Sequence, residues 1–357
     1  MPKSLSQRCY GAAKLPHNNA EIVISAKNCF KKHCLIVFSR FLPQLGLAIL
    51  SITKPMNPNI SPNHVFLGAW RVSEYVFQPD STFVGVIQQI RILEKLENGN
   101  IRVTQHMKPD EALNGHPMAD FAGEWVFELS VDGRARRYHG PDVVGTGLSW
   151  GDGVITGRGL WPRFGHNFSS FGIVINPNSK LAPQRQLTGG KFYNAGEMIA
   201  NIIGIAEQDE TWEESLTSGD KEDLFNGYFP VLAPPYQPHD VWRKWKGVIR
   251  SFLPDGSQQS EAAYERLYDD MNWHETGGHE VRFEPLGQRW RVTGNLNGIA
   301  KHTSWGLEVE AHQSNGESLE MMEILDAATG NLVGVRRWLK DHALVEVQVL
   351  RLNPSRQ

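Results

Sequence analysis

The feature that most constrains this chain is a run of short β-type segments that covers residues 66–352, breaks once and starts again. Segments 65–77, 82–96 and 101–107 are rich in β-branched and aromatic residues. Pro79-Asp80 and Asn98-Gly99-Asn100 supply the turns between them. Further segments follow at 124–131, 135–139, 143–150, 154–161, 168–175, 186–192 and 197–206. Asp132-Gly133, Gly151-Asp152-Gly153 and Asn194-Ala195-Gly196 read as hairpin turns. Short strands joined by tight turns make a meander, and a meander this long protects its edges by closing on itself.

The break lies at 207–240. Residues 207–223 collect acids, and Pro230, Pro234, Pro235 and Pro238 follow, so an exposed helical or irregular stretch leading into a stiff linker is expected. The pattern then restarts. Trp70 is followed by Phe77, Pro79 and Asp80, and Trp245 is followed at identical spacings by Phe252, Pro254 and Asp255. A second register matches Trp125, Gly133 and Ala135 with Trp290, Gly298 and Ala300. A third pairs Thr188-Gly189 with Thr329-Gly330. The offsets shrink along the chain, as shorter loops in a second copy would make them. The expected architecture is all-β, with two tandem antiparallel β-barrels. A barrel of about eight strands encloses either packed side chains or one small ligand. The expected bounds are a basic leader at 1–55, a first barrel at 56–207, an acidic and Pro-rich linker at 208–240 and a second barrel at 241–357.

The leader stands apart in charge. Residues 1–55 carry eight basic residues and one acid, whereas the remainder carries 28 basic and 38 acidic residues. Cys9, Cys29 and Cys34 all lie in the leader, so the body needs no disulfide, thiolate metal site or cysteine nucleophile. Two readings of the leader stay open. Met56 is the true start, or the leader is a targeting peptide. The expected location is cytoplasmic, or organellar if the leader is a targeting peptide. No uncharged apolar run reaches eighteen residues, so stable membrane insertion is not expected. The body is acidic and its basic residues are scattered, which argues against nucleic acid as a partner.

Trp70 at the head of the first strand, the Phe77-x-Pro79-Asp80 turn and the meander resemble the calycin superfamily, which includes the lipocalins. The resemblance covers roughly residues 65–352. Gly68-Ala69-Trp70 is similar to the lipocalin Gly-x-Trp, whereas Lys244-Trp245-Lys246-Gly247 departs from it. The tandem arrangement is similar to two-barrel lipocalin-like proteins, among them carotenoid hydratase-type enzymes and a cyanobacterial and plant group of unknown function. The resemblance implies two tandem antiparallel calycin-like β-barrels and a small lipophilic ligand.

The candidate chemistry is concentrated in 136–171, where Arg, Trp and His are interleaved with glycines. His139 and Asp142 are candidates for an oriented acid–base pair, with a backbone-bonded turn as the plain alternative. His166 lies between aromatic segments and either lines a cavity or caps a strand. The catalytic candidates are therefore His139, Asp142 and His166, and the substrate-binding candidates are Trp150, Arg158, Trp161 and Arg163. In Gly157-Arg158-Gly159-Leu160-Trp161 one face holds two glycines and Trp161, leaving a hollow for a flat apolar ligand if that face turns inward. His274, Glu275 and His279 sit in a glycine-broken loop that cannot align metal ligands. Phosphate-loop, Rossmann and nucleophile-elbow patterns are absent, so neither metal nor cofactor is expected. Two functions fit. One is a cofactor-free isomerase, cyclase or hydratase acting on an isoprenoid- or polyketide-like substrate in the first barrel. The other is a non-catalytic carrier or assembly factor for a lipophilic ligand or pigment. The concentration of polar and aromatic residues in one barrel tilts the reading to the enzyme.

Overall fold

The structure is a computed structural model that describes residues 64–151, 153–175, 184–209, 224–232, 244–269, 272–276, 280–287, 289–303, 306–326 and 329–355. The basic leader and much of the expected linker lie outside the described residues. Both barrels belong to one compact unit, Met56–Gln357.

The first barrel is built from β1 (Gly68–Phe77), β2 (Phe83–Lys95), β3 (Ile101–Pro109), β4 (Gly123–Asp132), β5 (Ala135–His139), β6 (Val144–Gly151), β7 (Val154–Trp161), β8 (His166–Val174), β9 (Arg185–Asn194) and β10 (Glu197–Gln208). Each strand pairs antiparallel with the next, and β10 returns to β1 with Tyr75 opposite Ile203. The second barrel repeats this with β11 (Lys244–Phe252), β12 (Gln258–Asp269), β13 (Asn272–Glu275), β14 (Glu280–Leu286), β15 (Arg289–Gly294), β16 (Asn297–Thr303), β17 (Gly306–His312), β18 (Glu317–Asp326), β19 (Asn331–Lys340) and β20 (Ala343–Pro354). The closed all-β architecture is the one expected, and it fits a calycin-like fold. Each barrel has ten strands rather than about eight, because every β-type segment joins the wall. More strands make a wider barrel.

The repeat is real in its first register. Trp70 opposes Arg91 across β1–β2, and Trp245 opposes Arg266 across β11–β12. Asp80 Oδ1 accepts from Thr82 N at 2.9 Å, and Asp255 Oδ1 accepts from Ser257 N at 2.8 Å, so both first hairpins use the same Asx turn. The other two registers are corrected. Followed strand by strand, the ladders place Trp290 of β15 at the position of Arg136 in β5, one strand beyond Trp125 in β4. Residues 110–122 separate β3 from β4, whereas only residues 276–279 separate β13 from β14, and this displaced the sequence spacing. Thr188 lies within β9 and corresponds to Gly334, whereas Thr329-Gly330 precedes β19.

Outward faces of the two barrels pack together. Tyr75, Trp150, Leu187 and Ile203 share one apolar cluster with Phe252, Val333, Val335 and Val347. Charged links flank it. Arg185 Nη1 lies 3.0 Å from Asp326 Oδ1, and Lys191 pairs with Glu308 and, at 2.7 Å, with Glu310. The described part of the expected linker is not exposed throughout. Leu224 and Phe229 are buried against Ala69, Ile90 and Ile92 of the first barrel. Leu232 N donates to the Tyr75 hydroxyl at 3.0 Å. Among the described residues, no helix is long and apolar enough to cross a membrane.

Candidate functional site

The first barrel encloses a cavity of about 170 Å³. Two similar devices close it. Where β1 begins, Trp70 Nε1 donates to Phe66 O at 2.9 Å, tying the strand to a 3-10 turn, His64–Phe66. Toward the opposite end, Trp125 Nε1 donates to Phe121 O at 2.9 Å, in the 3-10 turn Pro117–Phe121. That turn belongs to segment 110–122, anchored at the start of β2 by Asp110 Oδ2, which accepts from Val86 N at 2.9 Å. Leu113, Met118 and Phe121 of this segment are buried, and the Phe121 ring meets Trp161 edge-on at 5.0 Å.

Leu93, Val103, Phe127, Leu129, Phe168 and Ile202 give the cavity apolar walls. A polar belt interrupts them. Glu74 Oε1 accepts from Arg91 Nη2 at 3.1 Å, and the same nitrogen lies 3.0 Å from Gln89 Oε1. Burial pushes the Glu74 carboxyl up, outweighing the opposing pull of Arg91. Arg136 is 3 % exposed and stacks on Phe66 at 5.3 Å. Among the described residues it makes no ion pair, and its Nε and Nη2 are buried without partners. Burial lowers its pKa to about 10, against a smaller upward pull from Tyr138. Burial raises the Tyr138 hydroxyl, and the fields of both Arg136 and Arg91 reach it. Arg91 Nε, Gln105 Oε1 and Thr188 Oγ1 are also buried without partners.

The second barrel is filled at the equivalent place. Arg266 makes a bidentate pair with Glu323, both bonds 2.5 Å, and lies over the Trp273 ring at 4.1 Å. Arg336 Nη2 donates to Glu275 Oε2 and to the Tyr264 hydroxyl, each at 2.8 Å. Two cations and two carboxylates thus neutralise each other at the centre. Strand registers give the counterparts in the first barrel. Arg91 stands for Arg266, Gln89 for Tyr264, Val103 for Trp273 and Gln105 for Glu275. Gly172 stands for Glu323, and Gly190 for Arg336. All of these first-barrel residues line the cavity; Gln105 matches Glu275 in size without its charge, and Gln89, Val103, Gly172 and Gly190 are smaller than their counterparts. The hollow exists because small residues replace the filling of an otherwise matching barrel.

The residues singled out from sequence fall in several places. On β7, Gly157 and Trp161 line the cavity. The hollow above the glycines is occupied, since the Tyr138 hydroxyl would lie 2.5 Å from a Cβ at Gly157 and the Phe168 ring 2.8 Å from one at Gly159. Arg158 is exposed and lines, with Trp150, a cleft of about 640 Å³ between the barrels. Trp150 is buried there, with Nε1 donating to Thr156 Oγ1 at 2.9 Å. Arg163 is exposed and sits over the Trp125 ring at 5.4 Å. His139 is exposed and shares a 2.7 Å hydrogen bond with Ser130 Oγ. Asp142 Oδ2 accepts from Val126 N at 3.4 Å, on the outside of the wall. His166 is buried between Phe121 and Phe164, with both ring nitrogens unpartnered, and desolvation lowers its pKa. Phe121 therefore joins His166 to Trp161, whereas His139, Asp142, Arg158 and Arg163 lie away from the cavity. Glu275 faces Arg336, and His279 lies outside the described residues.

Sequence reading chose none of Glu74, Arg91, Arg136 and Tyr138 as site residues, although Arg136 and Tyr138 lie in the stretch 136–171 that it singled out. A signal existed for two of them. In 135–139, Arg136 and Tyr138 share one face, and Tyr138 opposes the apolar Leu129.

No family model matches the chain, and no curated protein matches it. Among solved structures, it is similar to a protein of unknown function from the DUF3598 family of Nostoc punctiforme. Identity is 13%, the TM-score is 0.54, and the match covers 83% of this chain and 98% of that one. An S-type phycobiliprotein lyase, CPES, from Guillardia theta matches at 10% identity and a TM-score of 0.32, over 43% of this chain and 95% of that one. Kievitone hydratase from Nectria haematococca matches at 10% identity and a TM-score of 0.18, over 83% and 91%. The Nostoc protein shares the fold; the other two add nothing to that statement.

Proposed function

We propose that this protein binds a small, largely apolar molecule inside its first barrel. One observation carries the reading. The cavity opens where smaller residues stand in for the Trp273, Glu323 and Arg336 that fill the second barrel. Pockets that bury small ligands have this composition, mostly apolar with a few convergent polar groups. An apolar cavity of about 150 Å³ is already large enough to hold benzene. The test imports the filling. Val103→Trp places in the first barrel the side chain that Trp273 places in the second. Isothermal calorimetry with β-ionone and methyl 2-naphthoate is expected to show binding to the unmodified protein and none to the variant. Equal affinity in both would overturn the reading.

A second reading, a cofactor-free isomerase, cyclase or hydratase on an isoprenoid- or polyketide-like substrate, is favoured by Glu74. A carboxyl on the wall of a largely apolar cavity, with its pKa raised by burial, is suited to proton transfer. Arg91 would position it, and the Tyr138 hydroxyl would orient a carbonyl or hydroxyl of the substrate. Glu74→Gln keeps the hydrogen-bonding shape and removes the titratable proton. An enzyme would lose turnover and keep binding in this variant. A carrier would show no turnover of any bound ligand in either form.

A further inference from the structure

We infer that the ligand of the first barrel carries one carboxylate, held by Arg136 and Arg91 beside the Tyr138 hydroxyl. The inference rests on the proposed ligand cavity and goes beyond it, by fixing the polar group that an otherwise apolar ligand must bear.

The argument is one of charge balance between two matching interiors. In the second barrel, Arg266 and Arg336 face Glu275 and Glu323, cation for carboxylate. In the first, Arg91, Arg136 and a single carboxylate, Glu74, line the cavity, and Glu74 bonds Arg91. Arg136 is left as a buried cation with two unpartnered donors, and Arg91 Nε is a third. An isolated cation removed from water is costly unless an anion reaches it. Guanidinium donors in a planar fork match the two oxygens of a carboxylate.

The missing anion has a place. Glu323 projects from β18 to meet Arg266, and Gly334 opposite it on β19 leaves room for that side chain. The first barrel makes the opposite choice at both positions, with Gly172 in place of Glu323 and Thr188 in place of Gly334. The chain therefore keeps the arginine at the Arg266 position but draws its carboxylate from Glu74 on β1, which leaves none for Arg136, and it adds a hydroxyl whose Oγ1 is buried without a partner. Gln186 Nε2 sits over Gly172, so the Gln186 amide takes the space next to that glycine and offers a further donor there. The Tyr138 hydroxyl, reached by the fields of both arginines, completes a donor-rich pole at the polar belt. The apolar body of the ligand then lies against Phe127, Leu129 and Phe168.

The experiment compares 2-naphthoate with methyl 2-naphthoate by isothermal calorimetry, on the full chain at neutral pH. The acid is expected to bind at least about tenfold more tightly than the ester, the scale of a charge-assisted pair against a neutral contact. Arg136→Met should bring the acid-to-ester affinity ratio, both measured in that variant, down to about one. A double change, Gly172→Glu with Thr188→Gly, installs the internal carboxylate of the second barrel and should abolish the preference for the acid. Thermal unfolding of each variant reports whether it folds, and the acid-to-ester ratio of the unmodified protein needs no variant. Equal binding of acid and ester would overturn the carboxylate and leave the cavity reading intact. Binding of neither would overturn both. A preference for the acid that survives both variants would place the anion elsewhere and overturn the assignment to Arg136 and Arg91.

Discussion

Residue type alone does not tell whether a side chain faces the interior of a barrel; strand parity does. Arg136 and Arg137 are neighbours in one strand, yet Arg136 is buried on the cavity wall and Arg137 is exposed. His166 shows the same rule with a different consequence. Its ring is buried among Phe121 and Phe164, and neither nitrogen has a partner, so the neutral form is favoured. Desolvation lowers its pKa, and the weaker opposing pull of Asp120 does not reverse this. Between its folded pKa and the unfolded value near 6.5, the unfolded chain binds the extra proton. Stability from His166 is therefore present above about pH 6.5 and is lost as pH falls below it. His166→Phe removes that proton site and keeps an aromatic ring in the cluster. The variant should lose less of its unfolding midpoint than the unmodified protein between pH 7.5 and pH 5.5. An identical loss in both would show that His166 is not the group responsible.

At the scale of elements, segment 110–122 packs Met118 and Phe121 onto the cavity of the first barrel. It is held by three buried apolar side chains, Leu113, Met118 and Phe121, and by the carbonyl that Trp125 binds. Phe121→Ala removes the ring that packs on Trp161, Phe164 and Phe192, and should cost about 3–5 kcal/mol in equilibrium unfolding. It should also raise acrylamide quenching of tryptophan fluorescence, because the cap over Trp161 is opened. The strands of the first barrel were legible in the sequence because alternation and turn residues mark them: the segments expected at 135–139 and 154–161 are β5 and β7 to the residue. The cap was not. Gly115 and Pro117 give it the composition of a loop, and its apolar residues follow no period of a strand or helix. The cavity was hidden for a related reason. Gly172 and Gly190 read locally as weak strand positions, and their meaning emerges only when the ladders set them beside Glu323 and Arg336.

In the whole molecule, one barrel is filled and the other is hollow, and the two share an apolar face. Cavities and unpaired buried charge lower stability, so the first barrel leans on its neighbour. Tyr75, Leu187 and Ile203 bury their outward faces against Val333, Val335 and Val347, and losing the second barrel would expose them. Arg185 bonds Asp326, whose side chain is fully buried, and this ties the interface at the level of charge as well. Disruption at the centre of the second barrel should therefore be felt by the first. Glu323→Leu leaves Arg266 buried without its bidentate partner, a change that costs about 3–5 kcal/mol when one member of a buried pair is removed. Site-specific hydrogen exchange follows the first barrel through β1 and β10, and the second through β12 and β18. If the shared face makes the barrels one cooperative unit, protection falls by the same free energy in all four strands. Ligand binding in the first barrel would then be lost at the temperature at which the second unfolds. Protection lost in β12 and β18 while β1 and β10 keep theirs would show two independent barrels, and the apolar face between them would then be a contact that neither barrel needs in order to fold.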